Sequence, residues 1–122
     1  MVFNGICLVT SDVRRVRQFY EAVLKTEFKG DDAFAWMESA RGTFSIFSTE
    51  GMEILAPGSM NGAGHGSYTV EFEVADVDQE FERLRSLGVE VVKEPTTQSW
   101  RRRSVWFRDP DRNIVNFYKS LV

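Results

Sequence analysis

The sequence contains only one cysteine and one histidine, Cys7 and His65. A lone cysteine cannot form a disulfide within the chain, which agrees with a reducing compartment. A lone histidine cannot build a polyhistidine metal site, and the glycines on either side of His65 favour an exposed position for it. The sequence therefore argues against both a disulfide scaffold and a polyhistidine metal centre.

The sequence also lacks an excess of positive charge and any long apolar run. Fifteen Lys and Arg against 18 Asp and Glu give a net charge of -3, whereas nucleic acid binding needs a basic surface. The run Arg101–Arg103 is a local exception that more often coats a solvated loop. No apolar run approaches the roughly 20 residues of a membrane span, and no signal peptide pattern opens the chain. We expect a cytoplasmic protein that binds neither nucleic acid nor membrane.

The first half of the chain predicts a strand, a helix and three strands. Residues 4–10 alternate as a strand, and Asp12 caps an amphipathic helix that runs to about residue 24. Short strands are expected near residues 27–29, 33–38 and 43–48, separated by turn sequences. Residues 49–56 fit no single pattern, a helical turn being one alternative. The apolar stripe predicted for the helix consists of Val13, Val16, Tyr20, Val23 and Leu24.

The second half repeats this order after a glycine-rich linker at residues 57–66. Residues 68–74 alternate as a strand, and Asp76 caps a helix that Gly88 ends. A strand at residues 89–93 and a loop around Pro95 at residues 94–99 lead into the final hairpin. The buried stripe predicted for this helix consists of Val77, Phe81, Leu84 and Leu87.

The closing hairpin pairs residues 104–108 with residues 114–118 around a turn at 109–113. Pro110 fixes a turn backbone angle, Asp109 and Asp111 can bond their own backbone, and Asn113 tolerates the left-handed conformation. Strand alternation divides the hairpin into an apolar face and an amphipathic face, the second being typical of either a pocket lining or a solvated sheet surface. The apolar face holds Val105, Phe107, Val115 and Phe117, and the amphipathic face holds Ser104, Trp106, Asn116 and Tyr118.

The internal repeat constrains the fold more than any single motif. We predict an α+β protein of two βαβββ modules that form cup-shaped, mostly antiparallel sheets within one domain, residues 1–122. Module 1 spans about residues 1–57, the linker about 58–67 and module 2 about 68–122. The sheet face turned away from the helices is then expected to line the cup.

The sequence resembles the vicinal oxygen chelate superfamily, which includes glyoxalase I, bleomycin resistance proteins and extradiol dioxygenases. Three stretches carry the resemblance: Val9–Val13 leading into Gln18–Leu24, Phe72–Asp78 leading into a helix that ends at Gly88, and Phe107–Phe117 with its Arg-Asp-Pro-Asp-Arg-Asn turn. They cover nearly the whole chain. They are fairly specific for the fold and weak for the reaction, because the superfamily supports many chemistries.

The resemblance implies where a metal would be held in metal-dependent members. The first-strand ligands fall at Gly5 and Thr69, and the last-strand ligands fall at Asn116 and at either Ser45 or Phe47. None of these is a usual strong ligand, and adding Glu53 or Glu71 supplies carboxylates without histidine. We therefore expect no metal and no cofactor, and the resemblance is closest to the metal-free, bleomycin-resistance-like branch.

Members of that branch bind planar or hydrophobic compounds, with a tryptophan in the loop before the final hairpin. Trp100 occupies the matching place; the alternative is that it contacts its own domain or a dimer partner. For Trp36 we favour a position in the pocket over one in the core. The resemblance implies a homodimer that binds a small, partly aromatic molecule, with no catalytic residue predicted. The rivals are a metal-dependent lyase, isomerase or dioxygenase, and a protein that binds no small ligand. The predicted ligand-binding residues are Trp100, Trp36, Phe47, Thr69, Glu71, Trp106, Asn116 and Tyr118.

Overall fold

The structure, a computed structural model, describes residues 1–122 and divides into two compact units. The first unit is Met1–Ala63 and the second is Gly64–Val122. The division falls inside the glycine-rich segment that we predicted as a linker. No helix in either unit has the length and apolar character needed to cross a membrane.

The first unit is a four-stranded mixed sheet with two helices. Strand order is β1-β4-β3-β2, in which β1 runs parallel to β4 and the remaining pairs are antiparallel. The segment that fitted no single pattern is the helix α2, whose cap Ser48 accepts a hydrogen bond from the Gly51 N–H at 2.9 Å. The elements are β1 (Gly5–Thr10), α1 (Val13–Leu24), β2 (Lys29–Gly30), β3 (Phe34–Ser39), β4 (Gly42–Ser48) and α2 (Thr49–Leu55).

The second unit repeats this arrangement with one helix. Strand order is β5-β8-β7-β6, with β5 parallel to β8 and the other pairs antiparallel. The predicted α+β fold with two βαβββ modules is thus confirmed. The elements are β5 (Thr69–Glu73), α3 (Val77–Ser86), β6 (Val91–Thr97), β7 (Arg102–Arg108) and β8 (Ile114–Ser120).

Both long helices begin at the predicted aspartate caps. Asp12 accepts a hydrogen bond from the Arg15 N–H and Asp76 accepts one from the Gln79 N–H, each at 3.1 Å. Such bonds satisfy N–H groups that the first helical turn leaves unpaired. The prediction that Leu87 is buried was wrong, since its side chain is 48% exposed. The helix ends one residue earlier, and Gly88 at φ +74° turns the chain away.

The long helices α1 and α3 each pack on one face of their own sheet. In the first unit Tyr20 of α1 meets Phe44 of β4 edge-to-face, with ring centroids 4.8 Å apart. In the second unit the strand residues Phe107 of β7 and Phe117 of β8 meet edge-to-face at 5.0 Å within the core. All four hairpin residues predicted for the apolar face are buried, and three of the four predicted for the amphipathic face, Ser104, Asn116 and Tyr118, are buried as well. The opposite face of each sheet, which we call the distal face, is not covered by α1 or α3. In the first unit Gly51 of α2 packs against Phe47 on this face.

Strand β6 differs from the prediction because it continues through Pro95 to Thr97. Proline cannot donate to a sheet ladder, so a loop was expected there. β6 is an edge strand, however, and its pairing with β7 shifts register on both sides of Lys93. Irregular pairing at an edge accommodates the missing N–H without breaking the strand.

The hairpin turn is organised by the buried carboxylate of Asp109. This carboxylate accepts hydrogen bonds from the backbone N–H of Asp111 and of Asn113, both at 2.9 Å, and from the Asn113 side chain at 3.0 Å. The left-handed residue is Arg112, at φ +67°, and not Asn113 as predicted. Asn113 instead uses its amide to bond Asp109, which leaves the preceding residue to reverse the chain.

Replacing Asp109 by alanine is expected to lower the free energy of unfolding by about 2–3 kcal/mol. The substitution removes hydrogen bonds to a charged group and leaves the buried Asn113 amide groups without acceptors. Urea denaturation of the two proteins measures the difference. Asp111→Ala is the matched control and is expected to lose less than about 0.5 kcal/mol; equal losses would contradict the account of the turn.

The ion pair between α3 and β7 predicts a pH dependence. The side-chain hydrogen bonds and charge of Arg103, at 2.7 and 2.8 Å, hold the pKa of the exposed Asp78 carboxyl below its ordinary value of 3.8. The pair therefore adds stability above that pH, and this stability is lost as the pH falls through the lowered pKa. Asp78→Asn is expected to be less stable than the unsubstituted chain at pH 7 and equally stable at the acid end of a denaturation series. A difference that stays constant with pH would contradict this.

Candidate ligand-binding faces

An aromatic cluster lies on the distal face of the first sheet. Phe34 of β3 lies 5.5 Å from Trp36 and 5.7 Å from Phe47 of β4, measured between ring centroids. The register pairs Phe34 with Phe47 and Trp36 with Ser45, so these side chains share one face. Phe34 is 39% exposed, and the other two rings are half-buried. The sheet thus presents three large aromatic side chains on the face that α1 does not cover.

The register also shows that Ser45 and Phe47 both belong to this distal face. Ser45 pairs with Cys7 and Phe47 pairs with Val9, while the intervening Ile46 is fully buried on the helix side. The Ser45 hydroxyl donates a 3.4 Å hydrogen bond to the Ile6 carbonyl oxygen. Ser45 is therefore engaged with the backbone, and Phe47 is the more accessible of the two.

The distal face of the second sheet carries five of the six predicted site residues of that unit. Glu71 pairs with Asn116 across β5 and β8, and Trp106 pairs with Asn116 across β7 and β8. Ser104 pairs with Tyr118. Cross-strand partners lie with their Cβ atoms about 5 Å apart, so their side chains can contact one ligand together. The predicted residues brought onto this face are Thr69, Glu71, Trp106, Asn116 and Tyr118.

Arg102 joins this face although sequence reasoning did not include it. Its guanidinium lies 3.9 Å from the centroid of the Tyr118 ring, and one of its nitrogens lies 3.5 Å from a Glu71 carboxylate oxygen. A cation over a tyrosine face is attractive, and the nearby carboxylate balances the charge. Strand alternation places Ser104 on this face and therefore also Arg102, two residues earlier. The sequence pattern could have predicted Arg102 as a residue of this face if the strand had been extended to include it.

Asn116 is buried without any hydrogen bond to its side-chain oxygen. The residue is 2% exposed, and Oδ1 has no partner. The only other buried side-chain atom without a partner is Arg17 Nε, and that guanidinium bonds Asp32 through another nitrogen at 2.8 Å. Leaving a buried acceptor unpaired costs about 1–3 kcal/mol. No hydrogen bond within the protein therefore explains the amide oxygen at this position.

Trp100 does not lie on either sheet face. It belongs to the tight turn between β6 and β7, where the Arg101 N–H donates to the Gln98 carbonyl oxygen at 3.0 Å. Its side chain is 63% exposed. The indole therefore projects from the turn and does not fold back onto its own unit.

The residues at the family's metal positions do not fit a metal site. No group of three or more His, Cys, Asp and Glu side chains comes close enough to hold an ion. A Cβ added at Gly5 would lie 1.9 Å from the Thr43 carbonyl oxygen, so this position has no room for a ligand side chain. Glu53, weighed as a substitute, lies on α2 and accepts hydrogen bonds from the Gly58 N–H at 3.0 and 3.1 Å.

Comparison with known proteins links nearly the whole chain to one superfamily. Residues 2–117 match the sequence model of the glyoxalase/bleomycin resistance protein/dioxygenase superfamily. The uncharacterised protein YraH of Bacillus subtilis is 28% identical over 95% of this chain and 96% of its own. The fosfomycin resistance protein FosX of Listeria innocua is 23% identical over 98% of this chain and 90% of its own.

Solved structures show the same fold. An enzyme of the glyoxalase/bleomycin resistance protein/dioxygenase family from Burkholderia phytofirmans superimposes with a TM-score of 0.87 and 16% identity, covering 99% of this chain and all of the other. A protein of unknown function from Agrobacterium tumefaciens gives a TM-score of 0.82 with 27% identity, covering 99% and 95% of the two chains. The low identity to the first of these makes it a likeness of fold alone.

Acrylamide quenching of tryptophan fluorescence should single out Trp100. Because Trp36 and Trp106 are half-buried and Trp100 is 63% exposed, Trp100→Phe is expected to lower the quenching constant. The matched control Trp36→Phe should leave the constant unchanged or raise it. A constant that stays the same after Trp100→Phe would mean that the indole is covered in solution.

Proposed function

Because the chain belongs to the glyoxalase/bleomycin resistance protein/dioxygenase superfamily, we propose that it binds a small, partly aromatic organic molecule on its distal faces. The mode of action is sequestration without a metal ion and without catalysis. The observation that carries the proposal is the aromatic cluster of Phe34, Trp36 and Phe47 on the sheet face opposite α1, where Phe34 keeps 39% of its surface exposed beside α2. FosX is a resistance protein, and withdrawing a toxic compound from solution is one way in which this chain would confer resistance.

The aromatic cluster on the distal face is better explained by ligand binding than by a need of the core. The core of the first unit already has its aromatic contacts on the helix side, between Tyr20, Phe44 and Phe28. The distal cluster adds a second set of rings, which gain further hydrophobic stabilisation when a ligand covers their remaining exposed surface. A flat organic molecule can stack on these rings and remove them from water.

The second sheet supplies polar groups beside an aromatic ring. Trp106 provides a flat surface, and its cross-strand partner Asn116 provides an amide. Thr69 and Glu71 add a hydroxyl and a carboxylate on the neighbouring strand. Apolar surface with a few placed polar groups is the usual composition of a small-molecule site, in which the polar groups set the orientation.

The metal-dependent alternative lacks a suitable donor set. A lyase, isomerase or dioxygenase of this superfamily would need strong ligands at the positions held here by Gly5, Thr69 and Asn116. The Thr43 backbone leaves no room for a ligand side chain at Gly5, and the Asn116 amide is a weak metal ligand, so both positions disfavour a metal-dependent enzyme. We therefore propose binding in place of catalysis, and no residue is assigned a catalytic role.

Chemical-shift mapping with a planar probe tests the proposal. Indole added to 15N-labelled protein, after treatment with EDTA, should shift amide signals on β3, β4, β7 and β8 in a saturable manner. Shifts scattered over helix surfaces, or no shifts, would overturn the proposal. Binding that appears only after a divalent cation is restored would favour the metal-dependent alternative.

We also propose a homodimer in the cytoplasm, with residues 1–122 acting as one functional domain. The resemblance supports the dimer, and so do the exposed apolar side chains of α2, Ile54 at 81% and Leu55 at 73%. Sedimentation equilibrium measures the mass directly. A monomer at the highest concentration tested would contradict this part of the proposal.

We propose that Trp100, which projects from the turn before β7 and lies on neither distal face, also stacks on the ligand. Trp100→Ala is then expected to weaken indole binding by about fivefold without changing the unfolding temperature. Stacking on an aromatic ring contributes about 1 kcal/mol, while removing a side chain that is 63% exposed costs the fold little. Trp100→Phe is the control that keeps a stacking surface. Unchanged affinity in Trp100→Ala, measured by titration, would remove Trp100 from the site.

A further inference from the structure

We infer that Asn116 sets the specificity of the proposed site by accepting a hydrogen bond from a neutral N–H or O–H at the edge of a planar ligand. The inference rests on the proposed function and names the class of ligand. Its basis is the buried and unpaired Oδ1 atom, which no protein group satisfies.

The position of Asn116 places this acceptor among residues suited to a flat molecule. It lies mid-strand on β8, with Trp106 of β7 on one side and Glu71 of β5 on the other. Its chain neighbours Val115 and Phe117 point into the core on the opposite face and are almost fully buried. The amide is therefore directed to the distal face, next to the indole on which a ring would stack.

Other buried polar side chains of the second unit contrast with Asn116. The Asn113 side chain donates to Asp109 at 3.0 Å, and the Asp109 carboxylate is filled by three donors. These groups have a role within the fold, and Asn116 Oδ1 has none. Buried polar atoms without partners are uncommon in folded proteins and call for a specific explanation. A hydrogen bond from a ligand provides that explanation.

The charges around Asn116 favour a neutral donor over a cation. Glu71 is the nearest carboxylate by register, and Arg102 lies 3.5 Å from it while also covering Tyr118. The guanidinium offsets the negative charge that would otherwise attract an ammonium group. An edge N–H of a heteroaromatic ring meets both requirements, since it stacks and donates at once.

A matched pair of neutral probes tests the inference. Indole and benzofuran have nearly the same shape, but indole carries a ring N–H where benzofuran carries an oxygen. The unsubstituted chain is expected to bind indole about fivefold to tenfold more tightly than benzofuran, because the indole N–H gives Oδ1 of Asn116 a hydrogen bond that benzofuran does not supply. The dissociation constants come from 15N shift titrations, in which the affected residues also locate each probe.

Two substitutions assign the discrimination to Asn116. Asn116→Leu removes the acceptor with little change in volume and is expected to bring the ratio of the two dissociation constants close to one. Asn116→Asp keeps an acceptor oxygen and is expected to keep the preference for indole. The unfolding temperature of unliganded Asn116→Leu should equal or exceed that of the unsubstituted chain. If the amide instead had a structural role, its removal would leave a hydrogen-bond partner unpaired and would lower the unfolding temperature.

The outcomes separate this inference from the proposed function. Equal binding of the two probes on the distal faces leaves the proposed function intact and overturns the role of Asn116. A preference for indole that persists in Asn116→Leu, or is absent in Asn116→Asp, also overturns it, as does a lowered unfolding temperature in Asn116→Leu. Failure of both probes to bind overturns the proposed function and the inference together.

Discussion

Alternation of side chains along each strand is the constraint on which the rest of this structure depends. One set of alternate residues packs beneath a helix, as Phe107 and Phe117 do in the second unit. The other set lies on the distal face, where packing against α1 or α3 places no demand on it. Each sheet can therefore keep its core fixed while its distal face carries aromatic, amide and charged groups.

The repeat of one module explains why so much of the fold follows from the sequence. Asp12 and Asp76 precede two helices with apolar stripes, and both act as caps in the structure. Hairpin alternation predicted the four apolar side chains that β7 and β8 bury in the core. Errors arose where tertiary context outweighed a local signal: Pro95 continues an edge strand, Arg112 takes the left-handed conformation in place of Asn113, and Leu87 falls beyond the last helical turn.

The candidate site was less predictable, because a site depends on which atoms remain unpaired. The sequence put Trp106 and Asn116 opposite each other in the closing hairpin, but only the pairing of β5 with β8 shows that Glu71 lies beside Asn116 on its other side. It could not show that Oδ1 of Asn116 lacks a partner, or that Arg102 lies over Tyr118. Nor could the sequence show that the Thr43 carbonyl oxygen lies against Gly5. This contact leaves no room at position 5 for the side chain of a metal ligand.

Native mass spectrometry of the freshly purified protein tests the central claim, metal-independent binding of a small molecule, most directly. One spectrum reports the number of subunits, any bound metal and any organic compound that co-purifies. The account predicts a protein without stoichiometric metal that carries an organic adduct, released on denaturation. A divalent ion that survives dialysis at one per site would contradict the account and would direct attention to an enzyme.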